Sequence, residues 1–354
     1  MSTVYVPVLK LRSSEMKALQ FLDIQVKEKI MPVIQILSDK IQDRKGDYLT
    51  GKLRELMGAF SGSNMSFYAD FEFVTNGEFF IIEEFLKLVT FQNIKFIPVL
   101  SFLKSFPAYR NLIRERYLQY GICLKFDEYK TKNLEINNFL NYFNEVVNKC
   151  KDFFQISESQ IDIHLCLEEL SGNESKSLAK RIIDILTKID NGSKFRRIFV
   201  SVGSFPKDLS EILVDTERIL YRHEWDFWKS LQVLRNEFNL IYSDYGNIHP
   251  IYDPDQNGHI GSCSIKYTME EDYLILRGTK PNKHPDASGQ YITKSLALVN
   301  NKIYDGPAFS WGDYKILQVA QQTESTGNAS KWVQYTLNHH ISKIYSLLNQ
   351  SIYQ

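Results

Sequence analysis

The chain has 354 residues, 44% apolar and 24% charged, with 42 basic side chains balanced by 42 acidic ones. This length admits two domains or one large α/β barrel carrying an insertion, and the composition supports a sizeable core while excluding a disordered or low-complexity chain. Zero formal charge excludes an extended nucleic-acid surface working through phosphates, and leaves room only for a local basic site.

Short runs rich in Val, Ile, Phe or Tyr read as strands at residues 5–10, 31–37, 67–74, 95–102, 121–127, 161–168, 197–202 and 240–245. Between them, helical spacing marks residues 14–27, 76–90, 134–150, 173–189 and 225–238, with Asn76 and Asn173 as N-caps, and a last helix covers 330–348. Eight β-then-α units predict an α/β fold, a (β/α)8 TIM-like barrel. A weak repeat agrees: PVLK at Pro7, PVIQ at Pro32 and PVLS at Pro98 put Lys10, Gln35 and Ser101 at equivalent strand positions. No G-x-G-x-x-G and no G-x-x-x-x-G-K occurs, which argues against dinucleotide and P-loop readings.

A barrel needs about 250 residues, and the surplus falls at 246–329, between the eighth strand and the last helix. There SCSIKYT, DYLILRG, ALVNNKIY and YKILQVA read as strands between turn-rich pieces such as DPDQNGH and KPNKHPDASG. The expected organisation is barrel units over 1–245, a β-rich insertion over 246–329 that emerges on the C-terminal face as a lid, and the final barrel helix over 330–354. No apolar run is long enough to span a bilayer, and MSTVYVPVLKLR lacks the order of a signal peptide, so the expectation is a cytoplasmic protein without a membrane partner. Cys123, Cys150, Cys166 and Cys263 lack metal-site spacing and read as packing residues.

Several long patterns occur together: YVPVLK, HEWDFWKSL, SDYGNIHP, SIKYTMEEDYLILRG, SGQY, FSWGDYKI, and TGN followed by KWVQYTLNHHI. In that order they resemble the phage beta-protein family, which is also encoded in bacterial genomes, over essentially the whole chain. The resemblance implies a role in phage–host conflict and no defined biochemical activity. The chain departs from it at Gln35, where many relatives carry Glu, which weakens a mechanism needing a charge there.

In a strand, i and i+2 share a face, so Asp70 pairs with Glu72, and Lys125 with Asp127. Pointing into the barrel top beside Lys10, Gln35, Glu168 and Asp244, they assemble several carboxylates and two amines. Such a cluster suits a divalent metal, magnesium or manganese, held by Asp70, Glu72, Glu168 and Asp244, or a split into acid and base; it is equally a network whose members only satisfy each other. Lys10 and Asp244 lead, because each ends a strand within a segment carrying the resemblance. Lys10 serves as a Schiff-base amine only if burial lowers its pKa; nearby acids favour a protonated clamp on an anion. Gln35, Lys125 and Tyr245 complete the ligand-contacting set at the mouth.

Gly327 and Asn328 open the last helix, where free N–H groups can hold a phosphate or carboxylate, although a plain cap explains them as well. His339 and His340 point about 100° apart on a helix, so they cannot readily share one ion, and His340 falls on the apolar stripe as a core histidine. His249 in NIHP is better placed for acid–base work, with a turn-stabilising role equally open. In the insertion, Arg277 and Lys280 form a basic turn and Trp311 with Asp313 a polar-aromatic one, able to close over an anionic or base-containing ligand or simply to tie the lid down. HEWDFW reads as core packing, and G-x-S-x-G is absent.

The first functional expectation is a barrel enzyme acting on a phosphorylated or nucleotide-like ligand, a phosphodiesterase or nuclease-like hydrolase. The second is a non-catalytic barrel that binds a phage or host protein or senses a small anion, favoured by Gln35 and the shortage of well-spaced histidines.

Overall fold

The computed structural model describes residues 3–37, 47–74, 79–91, 94–101, 110–111, 113–114, 118–172, 174–189, 194–254 and 261–350. The expected caps Asn76 and Asn173 and most of the DPDQNGH turn lie outside the described residues. Eight parallel strands close into a barrel: β1 (Tyr5–Lys10), β2 (Val33–Leu37), β3 (Phe67–Phe73), β4 (Phe96–Leu100), β5 (Ile122–Phe126), β6 (Ile161–Glu169), β7 (Arg197–Gly203) and β9 (Leu240–Asp244). The ring closes where β9 pairs with β1, Val6 opposite Ser243 and Pro7 opposite Asp244.

The strands are buried on both faces, as a parallel sheet wrapped in helices must be. Alternation sorts them. Val6, Val8, Val33, Ile97, Val99 and Ile241 form a cluster that contains no helix residue and fills the barrel. Their neighbours Leu9, Ile34, Ile36, Leu124, Ile163 and Ile198 join helix side chains in the larger outer core.

The outer layer comprises α1 (Ser13–Gln20), α2 (Ile24–Lys27), α3 (Asp47–Phe60), α4 (Phe79–Phe91), α5 (Glu128–Asn133), α6 (Ile136–Phe154), α7 (Ser175–Lys188), α8 (His223–Leu231) and α9 (Arg235–Phe238). In α6, Glu135 accepts from the backbone N–H of Asn137 and Asn138, and left-handed Gln155 ends the helix. The single helix expected over 14–27 is broken at Phe21–Asp23, and that over 225–238 is interrupted by a 3-10 turn.

The insertion differs from the expectation. β10 (Ile265–Thr268) and β11 (Asp272–Leu276) form the antiparallel hairpin read from SCSIKYT and DYLILRG. ALVNNKIY instead begins within α10 (Gln290–Val299), and YKILQVA lies in α11 (Trp311–Ala320). A short apolar run fits a helix as well as a strand, and here Ser310 accepts from the Asp313 N–H and starts a helix. The third strand, β8 (Glu217–Tyr221), comes from the loop after β7 and pairs antiparallel with β11. The lid is therefore a mixed α/β layer built from two successive loops.

The last helix, α12 (Ala329–Gln350), packs against α1, α11 and β10. Asn338 fixes this corner, donating to the Ala18 carbonyl and accepting from the Gly312 N–H. Among the described residues no helix is long and apolar enough to cross a membrane.

Candidate functional site

The alternation that fills the barrel with Val6 and Val8 turns Lys10 inward at the end of β1, and the same count turns Gln35, Asp70 and Lys125 inward on β2, β3 and β5. Register sets Lys10 beside Gln35 and Gln35 beside Asp70. The apolar barrel thus ends in a polar mouth on its C-terminal side, where barrel enzymes hold their chemistry.

Lys125 is the hub of one half. Its Nζ lies 2.9 Å from Asp70 Oδ2 and also donates to Glu72 Oε2. Burial pulls the Lys125 amine down, but the charges of Asp70 and then Glu72 outweigh it and leave its pKa well above the usual lysine value. Burial raises the Asp70 carboxyl, with Lys125 opposing. This half is a fixed cation cradled by two carboxylates.

Lys10 differs. It is 5% exposed, and its pKa is lowered, with burial the largest cause and Glu15 and Glu168 only partly opposing. The nearby acids therefore do not outweigh burial: Glu15 spends its carboxylate on the Lys10 backbone N–H, and its own pKa is raised by burial. Among the described residues no carboxylate makes an ion pair with the Lys10 amine. Beside it, Gln35 Oε1 is buried without a partner, an acceptor held in reserve at a site where buried polar atoms are normally satisfied. Glu168 sits at a bulge in β6 with φ +51°, a strained conformation for a side chain other than glycine.

Below the mouth runs a chain the sequence reading passed over. His164 Nε2 lies 2.5 Å from Ser201 Oγ, Ser201 Oγ 3.3 Å from Tyr245 Oη, and Tyr245 Oη 3.2 Å from Cys166 Sγ. Burial, and then Lys125, holds His164 well below its usual pKa, and burial pushes the Cys166 thiol up to about 11. A neutral imidazole and an un-ionised thiol can relay hydrogen bonds but do not act as charged groups. The alternation in IDIHLCLE, which turns Asp162, His164 and Cys166 to one face, carries the signal. Asp162 closes the opposite end of the barrel, bonded to Arg196, Arg197 and the Tyr68 hydroxyl.

Asp244 does not join the mouth. Tyr245 points inward, so Asp244 faces outward, fully buried against the last helix. Its Oδ1 accepts from Tyr5 Oη at 2.5 Å and Gly246 N at 3.0 Å, and its Oδ2 from Tyr242 Oη at 2.8 Å and His340 Nε2 at 3.0 Å. Burial raises the carboxyl, but His340 and these donors prevail and bring it to about 2. The network continues through Arg222, which donates to Tyr242 Oη, Glu224 and the Met269 and Glu270 carbonyls, while Tyr273 Oη donates to Glu224. HEWDFW, SDYG, the YTMEEDY hairpin and NHHI therefore meet in one buried latch between lid and barrel.

The remaining candidates are held as follows. His340 Nδ1 meets Thr268 Oγ1, and His339 lies between Asp313 and the Thr268 carbonyl. Asp313 also accepts from Tyr267 and Ser310, and Trp311 stacks on Phe21 at 4.3 Å, tying the lid to α1. His249 Nδ1 contacts the Phe205 carbonyl. Asn328 caps α12 through the Lys331 N–H, and Gly327 supplies the φ of +61° that precedes it. Arg277 and Lys280 line a cleft of the lid.

The four carboxylates read as metal ligands are not brought together: Asp244 is on the other face of the sheet, and the Lys125 ammonium fills the gap between Asp70 and Glu72. That donor set does not fit a hard divalent cation, which needs several free oxygens around one point. Among the described residues, no group of three or more His, Cys, Asp or Glu is placed to hold a metal.

No curated protein matches the chain. A family model described as Beta protein matches residues 5–346, nearly the whole sequence, and the chain belongs to that family.

Proposed function

We propose that the barrel mouth binds a small anionic substrate, phosphorylated or nucleotide-like, and that Lys10 moves a proton on it. The observation that carries this reading is the Lys10 amine: buried, facing the mouth, without an ion-paired carboxylate among the described residues, and shifted toward neutrality. An amine whose pKa is lowered gives up its proton more readily and can serve as an acid–base group, whereas one held fully charged only attracts. Lys125, locked by Asp70 and Glu72, fixes those two carboxylates in place, and the unpartnered Gln35 oxygen supplies an acceptor that orients the ligand. Hydrolysis of a phosphodiester or phosphoanhydride is the reaction class that uses these parts. A role in phage–host conflict rests on the family resemblance alone.

A second reading, a sensor of a small anion or a scaffold for a phage or host protein, draws support from the way Lys125 neutralises Asp70 and Glu72 and the latch consumes Asp244. A thermal-shift screen of phosphorylated sugars and nucleotides decides between them. On the enzymatic reading at least one compound stabilises the protein, is hydrolysed, and does neither with Lys10→Met; binding without turnover selects the sensor, and no binding by any compound removes both ligand readings.

A further inference from the structure

The lid carries a second concave site, unrelated to the mouth. A cleft of about 690 Å³ lies between the β10–β11 hairpin, residues 208–214 and the first turns of α12, within the roughly 300–1,000 Å³ typical of small-molecule sites. No residue of the barrel mouth lines it.

Its charge is one-sided. Lys266, Arg277, Lys280 and Lys283 line it, and among the described residues the one acid is Asp208, whose Oδ1 already accepts from the Ser210 N–H at 2.7 Å. The acids near Arg277, namely Asp215, Glu217 and Asp286, line a neighbouring cleft instead. Arg277 is held in place by Nη1, which donates to the Leu209 and Ile212 carbonyls, while its buried Nε has no partner. Lys266 has no carboxylate partner among the described residues; its Nζ rests 4.4 Å from the centre of the Phe205 ring. Burial brings that amine down to about 8, the behaviour of a cation waiting for a counter-ion. The rest of the wall is apolar: Val214, 45% exposed, and half-buried Val333 line it, over Trp332 and Tyr291, which stack on each other at 4.3 Å and are themselves buried.

We propose that this cleft binds a small organic polyanion with an apolar body, a nucleoside diphosphate in kind, the charged head lying among Lys266, Arg277, Lys280 and Lys283 and the body along Val214 and Val333. Four cations against one acid match a head with at least two negative charges, because charge-assisted contacts are strongest where donors converge without a competing carboxylate. The apolar wall separates this ligand from inorganic phosphate or pyrophosphate, which leave it unused.

Calorimetric titration of ADP into the full chain tests the proposal, with adenosine and pyrophosphate as the partial probes. ADP should bind more tightly than either probe, Lys266→Met and the exposed pair Lys280→Ala/Lys283→Ala should each weaken it about tenfold, and Lys10→Met should still bind ADP in the lid. Should Lys266→Met fail to fold by circular dichroism, the exposed pair alone decides. Loss of ADP binding in Lys10→Met, equal binding by the lid variants and the wild type, or no heat with ADP overturns the proposal; because Lys10 belongs only to the mouth, its variant separates failure here from failure there.

Discussion

At the scale of single residues, the barrel puts two lysines to opposite uses. Lys125 is paid for by two carboxylates, whereas Lys10 is buried with its nearest acid committed to a backbone N–H. An unfolded lysine titrates near 10.4, and the folded Lys10 lies lower. Between those two values the unfolded chain binds more protons, so stability rises with pH there, and the cost of burying a charged Lys10 is greatest below that window. Lys10→Met should remove this component: in urea titrations from pH 7 to 10, the wild type gains stability relative to the variant. Parallel curves would show that Lys10 is an ordinary lysine.

Asp244 gives the reverse sign. Its carboxyl, near 2 when folded and about 3.9 when unfolded, contributes about 2 kcal/mol at neutral pH. That contribution is present above about pH 4 and is lost as pH falls toward 2. Asp244→Asn should therefore unfold more easily at pH 7 and show a flatter acid limb than the wild type. The sequence could not separate Asp244 from Tyr245, because strands buried on both faces lack the apolar-polar alternation that fixes which side is in. The i, i+2 relation of Asp70 and Glu72 was legible, since it needs only the strand period. That Lys125, from another strand, would fill the gap between them was not, because it depends on cross-barrel geometry.

At the scale of elements, the eight barrel strands were readable from short Val- and Ile-rich runs. The lid helices were not, because ALVNNKIY and YKILQVA are too short for periodicity to distinguish strand from helix. β8 escapes for a related reason: it lies at the edge of the lid sheet and four of its five residues are exposed, Leu220 alone being half-buried, which leaves little apolar pattern. Contacts between elements explain residues that a sequence leaves neutral. A Cβ at Gly312 would stand 2.0 Å from the Tyr335 carbonyl oxygen, where α11 crosses α12. Gly312→Ala should cost about 1–3 kcal/mol in denaturant unfolding, and an unchanged midpoint would show that the two helices part without loss. Arg222, fully buried, pairs with Glu224 at 3.0 Å while holding the Met269 and Glu270 carbonyls. Arg222→Met leaves that carboxylate buried without its counter-charge, and about 3–5 kcal/mol should disappear.

At the scale of the whole molecule, the insertion is not an appended domain. It takes strands from two loops, rests on α12, and is fastened by a network running from Tyr5 in the first strand to His340 in the last helix. Barrel and lid should therefore unfold together, and hydrogen exchange in β10 and β11 should approach the protection of β9; early exchange of the lid in the wild type would mean that the latch does not hold. The segments that carry the family pattern build this latch, so they specify the architecture more than the chemistry. The chemistry we propose belongs to the polar groups above the barrel core, Lys10 first among them.

The most direct test of that claim is carbon NMR of the protein with ¹³C-methylated lysines, titrated first with pH and then with the phosphorylated compound that binds most tightly. The Lys10 resonance should titrate below those of the surface lysines and should shift on ligand addition while theirs do not. A Lys10 signal that titrates with the surface set and ignores every ligand would contradict the account.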